Sequence, residues 1–315
     1  MSQGRPGLDA FGSLPGMGAM ARPPAEPLPD GARFTTRSFA CAAGSRGYKL
    51  YIPAACAEER PPLGLVVLLH GCQQNPDDFA LGTGMNALAE IHGLLVAYPG
   101  QTSASNASSC WNWFNPADQR RDAGEPAILA GITREVMREF GLDREQVFVA
   151  GLSAGGAMAA ILAATYPDLY AAVGVHSGLA HGSASDVVSA FAAMRGDGGA
   201  ASHDIRNRTK PSEWPVVRTI VFHGSADRTV HPVNAQRIVE AAGLSGDPMR
   251  EHGRSPGGRA YERTITMDAG GHSLVESWLI EGAGHAWSGG RAGGSYTDPS
   301  GPDASTAMVR FFLDF

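Results

Sequence analysis

The chain of 315 residues is long enough to bury a sizeable core, and its 43% hydrophobic and 18% charged residues read as a soluble globular protein. A net charge of −6 gives no basis for nucleic acid or an anionic membrane surface as partner, and no apolar stretch approaches the ~18 residues that span a bilayer. Four cysteines, Cys41, Cys56, Cys72 and Cys110, form no CxxC pair and no histidines stand at zinc spacing, so neither a metal nor another cofactor is expected.

Residues 1–31 are rich in Gly and Pro and lack a continuous apolar segment of the secretory-signal kind, so they read as a flexible tail. Residues 32–315 are left for one domain. "FTTRSFACA" and "YKLYIP" predict a hairpin from Phe34 to Pro53, turning at Gly44-Ser45-Arg46-Gly47. "LGLVVLLH" (63–70) and "LLVAYP" (94–99) read as buried strands, separated by one helical pattern after Pro76. "EPAILAGITREVMREFG" (125–141) is an amphipathic helix with Ile128, Ile132, Val136 and Met137 on one face, stopped by Gly141. "QVFVAG" (146–151) is a strand and a small-residue helix starts at Ala154.

Further strands are expected at 170–178 and 217–224, and residues 263–282 read as two strands joined by a Gly-Gly turn. A C-terminal helix turns Met308, Phe311 and Phe312 inward and is capped by Asp303 or Ser305. The polar segments 195–215 and 244–259 read as surface loops, too short to carry a core of their own. Continuous apolar strands alternating with helices imply a largely parallel sheet covered on both faces.

"GLSAGG" (151–156) lies between a strand and a helix, which is the setting of a nucleophile elbow. The turn is tight, so Gly151 and Gly155 stand where a Cβ would collide, and the helix N-terminus aims N–H groups at a forming oxyanion. A helix-capping serine needs no glycine on both sides, so Ser153 is the candidate nucleophile. A serine nucleophile needs a base and an orienting acid, and where the serine sits on such a strand-to-helix elbow the chain order is Ser, then Asp or Glu, then His. Asp227 in "VFHGSADRTV" stands just past a strand end, where ligand-facing residues of open sheets sit. Asp247 and Asp268 are weaker rivals, one in a loop and one near a hairpin turn.

Among ten histidines, His285 in "EGAGHAWSGG" follows a strand and is loosened by glycines, so it is the candidate base. His176 and His181 come too early in the order, His272 sits in a hairpin turn, and His223 packs beside the acid. His70 reads as a structural residue under its loop. The backbone N–H groups of Cys72, just past the strand 63–70, and of Ala154 are the candidate oxyanion donors. Nothing around Cys72 forms an elbow, which argues against a cysteine nucleophile. Trp111, Trp113 and Trp287 flank the motif loops and are candidate substrate-binding residues, the alternative being ordinary core aromatics.

"LLHGCQQNPDDFA", "SCWNWF", "GLSAGG", "HGSADRTVHP" and "GAGHAWSGG", in that order, resemble the poly(3-hydroxybutyrate) depolymerase-type esterases over residues 30 to 315. The resemblance implies an α/β-hydrolase fold, kinship with feruloyl and acetylxylan esterases, and Ser153, Asp227 and His285 as triad. It also implies a disulfide between Cys72 and Cys110, clamping the two loops together, while Cys41 and Cys56 stay open. Secreted members carry a signal peptide, which this chain does not show. The resemblance and its disulfide therefore point to an extracellular, oxidising compartment, and the N-terminus points to the cytoplasm.

Depolymerases that attack solid polymer carry a separate binding domain, and this chain ends at its last helix, Phe315. Short hydroxyalkanoate oligomers or small esters are the expected substrates, with feruloyl- or acetylxylan-type esters as the alternative. A peptidase or thioesterase would share the triad. A non-catalytic binding protein on the same fold would be expected to lack a triad member, and all three are present. The sequence leaves the oligomeric state open.

Overall fold

The computed structural model describes residues 27–57, 60–197, 216–243 and 247–314. Most of the tail expected at 1–31, and residues 198–215 of one expected loop, lie outside the described residues. Strands β1 (Arg33–Cys41) and β2 (Gly44–Ile52) form the N-terminal hairpin. Cys41 pairs with Gly44, so Ala42 and Ala43 make the turn, and the Gly-Ser-Arg-Gly stretch is strand rather than turn. Ladder pairing with β1 overrides the turn preference of its glycines, and the extended backbone lets Arg46 reach the buried Glu125 at 3.1 Å.

A single turn, α1 (Ala54–Ala57), leads to β3 (Gly64–Leu69). The helix expected after Pro76 is two helices, α2 (Pro76–Thr83) and α3 (Met85–His92). Gly84, at φ 62°, ends one and begins the other, because its left-handed backbone cannot continue a right-handed helix. There follow β4 (Leu94–Pro99), α4 (Gly124–Phe140), β5 (Val147–Leu152), α5 (Ala154–Thr165) and β6 (Ala172–His176). Next come α6 (Val187–Arg195), β7 (Arg218–Gly224) and α7 (Val233–Ala241). Both α6 and α7 are helices that the sequence reading did not assign.

The chain closes with β8 (Met249–Arg254), β9 (Ala260–Met267), β10 (Ser273–Ile280), the two-residue β11 (Trp287–Ser288) and β12 (Thr297–Asp298), and α8 (Ala304–Leu313). Strand β8 corrects the expected loop at 244–259. Its sequence, MREHGR, has no apolar alternation, and it becomes a strand only by antiparallel pairing with β9 at the sheet edge.

Ten strands form one sheet in the order β1-β2-β4-β3-β5-β6-β7-β10-β9-β8. The six from β4 to β10 run parallel, and the antiparallel pairs lie at the two edges. Side chains of β3 alternate between two cores. Leu65, Val67 and Leu69 pack with α4 and α5 residues such as Ile132 and Met158. Val66 and Leu68 pack on the other face with Phe79, Met85, Phe311 and Phe312. The sheet is thus buried on both faces, as continuous apolar strands require. In α8 Met308, Phe311 and Phe312 are all fully buried. Its cap is Asp303, which accepts the Thr306 N–H at 2.9 Å, whereas Ser305 is buried and donates to the Thr83 carbonyl.

Candidate active site

Ser153 sits between β5 and α5 with φ 57° and ψ −120°, a backbone that a side chain rarely adopts. Neighbouring glycines make the turn possible. A Cβ on Gly155 would lie 2.1 Å from the Leu69 carbonyl oxygen, and one on Gly151 would lie 2.4 Å from the Gly155 carbonyl carbon. The elbow is held from below by β6, where the His176 carbonyl accepts the Ser153 N–H at 2.9 Å.

Above the elbow lies an open cavity of about 430 Å³, counted out into solvent at its mouth. Ser153 and Ala154 share its lining with Cys72, Cys110 and Trp113, and α6 supplies another wall. Cys72 and Cys110 are joined by a disulfide, as the resemblance implied; Cys41 is exposed and Cys56 half-buried, both as free thiols. Neither the Cys72 nor the Ala154 N–H finds an acceptor among the described residues. The Cys72 loop is positioned by Gln74, which is almost wholly buried. Its carbonyl accepts the Gly71 N–H at 2.9 Å, and its amide donates to Asp78 at 3.1 Å and to the Ser295 carbonyl at 3.0 Å.

Asp227 and His285 come from the loops after β7 and β10, which end side by side with Ile280 opposite Gly224. The loops are laced together: Ser225 N–H donates to the Ile280 carbonyl, and Ala226 N–H to the Ala283 carbonyl. His285 Nδ1 lies 2.7 Å from Asp227 Oδ2. A carboxylate only accepts, so Nδ1 carries the proton and Nε2 is left with its lone pair free. The other oxygen, Oδ1, accepts the N–H groups of Thr229 and Val230, each at 2.9 Å. Burial would raise the Asp227 carboxyl, but the His285 hydrogen bond and charge, helped by Val230, outweigh it and hold the acid below its ordinary value.

Three other histidines surround the site in fixed tautomers. His70 is buried, with Nδ1 on the Gly71 carbonyl and Nε2 accepting the Gln101 N–H, and burial pushes its pKa down to about 4. His176 accepts the Ser288 N–H at 2.9 Å through Nε2, and burial pushes it down to about 3. His223 packs under the acid, 3.5 Å from Asp227, with its Nε2 on the Val230 carbonyl; burial lowers it too.

The structure brings Asp227 and His285 together and places Ser153 at the cavity floor with Cys72 and Ala154. Between Ser153 and His285 it shows no direct hydrogen bond. Their recorded link is His176, whose carbonyl holds the Ser153 N–H and whose ring holds Ser288, three residues past the candidate base. His176 and Gln74 are the positioning residues that the sequence reading passed over. Gln74 stood in the quoted HGCQQ stretch, and His176 lies near the end of the strand expected at 170–178, so both carried a faint signal.

Of the three candidate tryptophans only Trp113 lines the cavity. Trp111 is fully buried and donates its indole N–H to the His70 carbonyl at 3.0 Å. Trp287 is buried, stacks on His176 and donates to Ser305. Both are core aromatics, which corrects their expected place on the substrate side: each indole finds its polar partner inside, so its apolar faces fill the core. Among the described residues no group of three or more His, Cys, Asp or Glu side chains could hold a metal ion. No helix among them is long and apolar enough to cross a membrane.

A nucleophile elbow at the end of a central parallel strand, with an acid and a histidine on the loops after later strands, defines an α/β-hydrolase. The fold agrees with that of an acetyl xylan esterase from Aspergillus awamori, with a TM-score of 0.69 at 22% identity over 89% of this chain and 98% of that one. The chain belongs to the Esterase PHB depolymerase family of carboxylic-ester hydrolases, whose family model matches residues 46–245. Among curated relatives it is 32% identical to poly(3-hydroxyalkanoate) depolymerase C of Paucimonas lemoignei, over 75% of this chain and 57% of that one. It is 26% identical to feruloyl esterase B of Neurospora crassa, over 75% of this chain and 81% of that one. The chain therefore spans little more than half the length of the depolymerase. Ser153 and Asp227 fall inside the matched segment, and His285 falls beyond it.

Proposed function

We propose that this chain hydrolyses small carboxylic esters or short hydroxyalkanoate oligomers through an acyl-enzyme on Ser153, with residues 32–315 acting as one catalytic domain. The observation that carries the reading is Ser153 held at positive φ in the lining of an apolar cavity, with two backbone N–H groups that have no acceptor among the described residues. His285 Nε2 takes the Ser153 proton as Oγ attacks the ester carbonyl. Asp227 holds the ring in the Nδ1–H tautomer and stabilises its charged form. The Cys72 and Ala154 N–H groups bind the oxyanion, where one such donor is worth about 3–4 kcal/mol. His285 then gives its proton to the leaving alcohol, and water repeats the cycle to release the acid. The first proton transfer needs the histidine and serine to approach more closely than they do here, as hydrogen bonds of a site without substrate commonly must.

The relatives support hydroxyalkanoate, feruloyl or acetyl esters as the substrate range, and the apolar cavity favours a small uncharged acyl group over a sugar. The disulfide supports work in an oxidising compartment. Hydrolysis of p-nitrophenyl acetate, butyrate and octanoate, 3-hydroxybutyrate oligomers and methyl ferulate tests the reading. Ser153→Ala is expected to lower kcat by at least ~10³-fold. A fully active Ser153→Ala, or a wild type inert on every ester, overturns it and favours a binding protein on the same fold.

A further inference from the structure

We propose that one face of α6 is the wall that sets the length of the acyl group, and that the site takes short aliphatic acyl chains. The inference rests on Ser153 as nucleophile. Val187, Ala190, Phe191 and Met194 all line the cavity. Their spacing of three, four and seven residues puts them on a single helix face. Across from them stand Trp113 and Leu179. Apart from Ser153 the lining presents no hydroxyl, amide or charged side chain. Beyond Ser153, its candidate oxyanion donors and the Trp113 indole N–H, it has little to pair with the several hydroxyls of a sugar, and polar groups buried there unpaired would cost free energy.

The direction of the ester follows from His285. The leaving oxygen must receive its proton from that ring, so the alcohol departs on the His285 side. His285 is not among the residues lining this cavity, whereas Ser153 and both candidate oxyanion donors are. The cavity therefore takes the other side of the carbonyl, the acyl chain.

The wall is fixed in place. Asp186 caps α6 by accepting the Ser189 N–H at 2.7 Å, and Gly196 ends it in a left-handed conformation. Three bonds tie its last turn to the segment after the acid. His231 N–H donates to the Met194 carbonyl at 2.7 Å, Asn234 to the Ala193 carbonyl at 3.0 Å, and Arg237 to the Gly196 carbonyl at 2.9 Å. A chain too long for the cavity must break these contacts, because the helix has no free end to swing.

The test is the ratio of kcat/KM for p-nitrophenyl octanoate to that for the acetate, in variants whose fold is verified by circular dichroism and melting temperature. Ala190→Leu is expected to lower the ratio about tenfold and Met194→Ala to raise it about fivefold, the scale of a few methylenes in an apolar pocket. Val188→Ser, on the outward face at 80% exposure, is expected to leave ratio and activity unchanged. Octyl against ethyl acetate, followed by acid release, is expected to show no matching change. Unchanged acyl ratios in both folded wall variants overturn the inference, as does a shift confined to the alcohol series. Failure of the Ser153 reading shows separately, as an active Ser153→Ala on the same panel.

Discussion

Gly155 shows how narrowly the elbow is built. The atom nearest to a new Cβ there is the Leu69 carbonyl oxygen at 2.1 Å, and the next is that of His70 at 2.5 Å. Both are backbone atoms, one ending β3 and the other just past it, so neither can yield as a flexible side chain would. Gly155→Ala is expected to lower unfolding free energy by about 3 kcal/mol, the upper end of overpacking costs. It is also expected to displace Ser153 and reduce kcat by more than tenfold, because small misplacements of reacting groups are costly. Urea denaturation alongside kinetics checks both; an alanine variant with wild-type stability would mean the elbow is looser than its contacts imply. His285 shows the same dependence on surroundings. Its ring is an ordinary imidazole until Asp227 at 2.7 Å selects the tautomer that leaves Nε2 ready to accept a proton.

At the scale of elements, the proposed site rests on loops held by cross-links rather than by strands. The Cys72 loop is bonded by the disulfide to Cys110, which heads the Trp111–Trp113 stretch, and to the loop before β12 through Gln74, Asp78 and Ser295. The stretch after Cys110 is in turn fixed by Glu125, a buried carboxylate that accepts Asn112 N–H at 2.8 Å. Cys110→Ser is expected to cost about 3–4 kcal/mol of stability for a bridge spanning 38 residues. It is expected to lower kcat well beyond what the residual fold loses, since the Cys72 N–H would no longer be held for the oxyanion. Melting temperature and kcat/KM, measured with and without dithiothreitol on the wild type, separate the two effects. Wild-type kcat in folded Cys110→Ser would remove the disulfide from the site's architecture.

For the molecule as a whole, buried histidines set the acid limit. His70 and His176 titrate near 4 and 3 when folded and near 6.5 when unfolded. Between these values the unfolded chain binds more protons, so their contribution is fully present above pH 6.5 and is lost as pH falls. For His70 the loss is on the order of 3 kcal/mol by pH 4. Asp227, lowered in the folded state, acts in the same sense at still lower pH. Glu125 acts oppositely, because burial raises its folded pKa and its contribution is lost as pH rises above its ordinary value. One carboxyl opposes three histidines, since burial lowers His223 as well, so urea midpoints are expected to fall steadily from pH 6.5 to 4.5. A flat profile across that range would show these histidines to be solvated. Elsewhere the molecule tolerates a buried charge by pairing it. Glu276 is fully buried in β10 yet bonded to Arg263 of β9 and Arg310 of α8, which joins the sheet edge to the last helix.

The sequence by itself determined the central strands, the elbow at 151–156 and the order of Ser153, Asp227 and His285. These are local facts: apolar runs can only be buried strands, and a serine between glycines at a strand end has few other uses. It also carried the disulfide, through resemblance rather than spacing. Tertiary structure decided what depends on neighbours far along the chain. Gly44 to Gly47 became strand because β1 lay beside them, and MREHGR became β8 because β9 offered a ladder. Trp111 and Trp287 went to the core because His70 and Ser305 received their N–H groups. Helix α6 became a cavity wall because α7 and the acid loop hold its last turn. Local pattern records what a segment prefers; only the folded contacts record which of its faces packs inward and which lines a cavity.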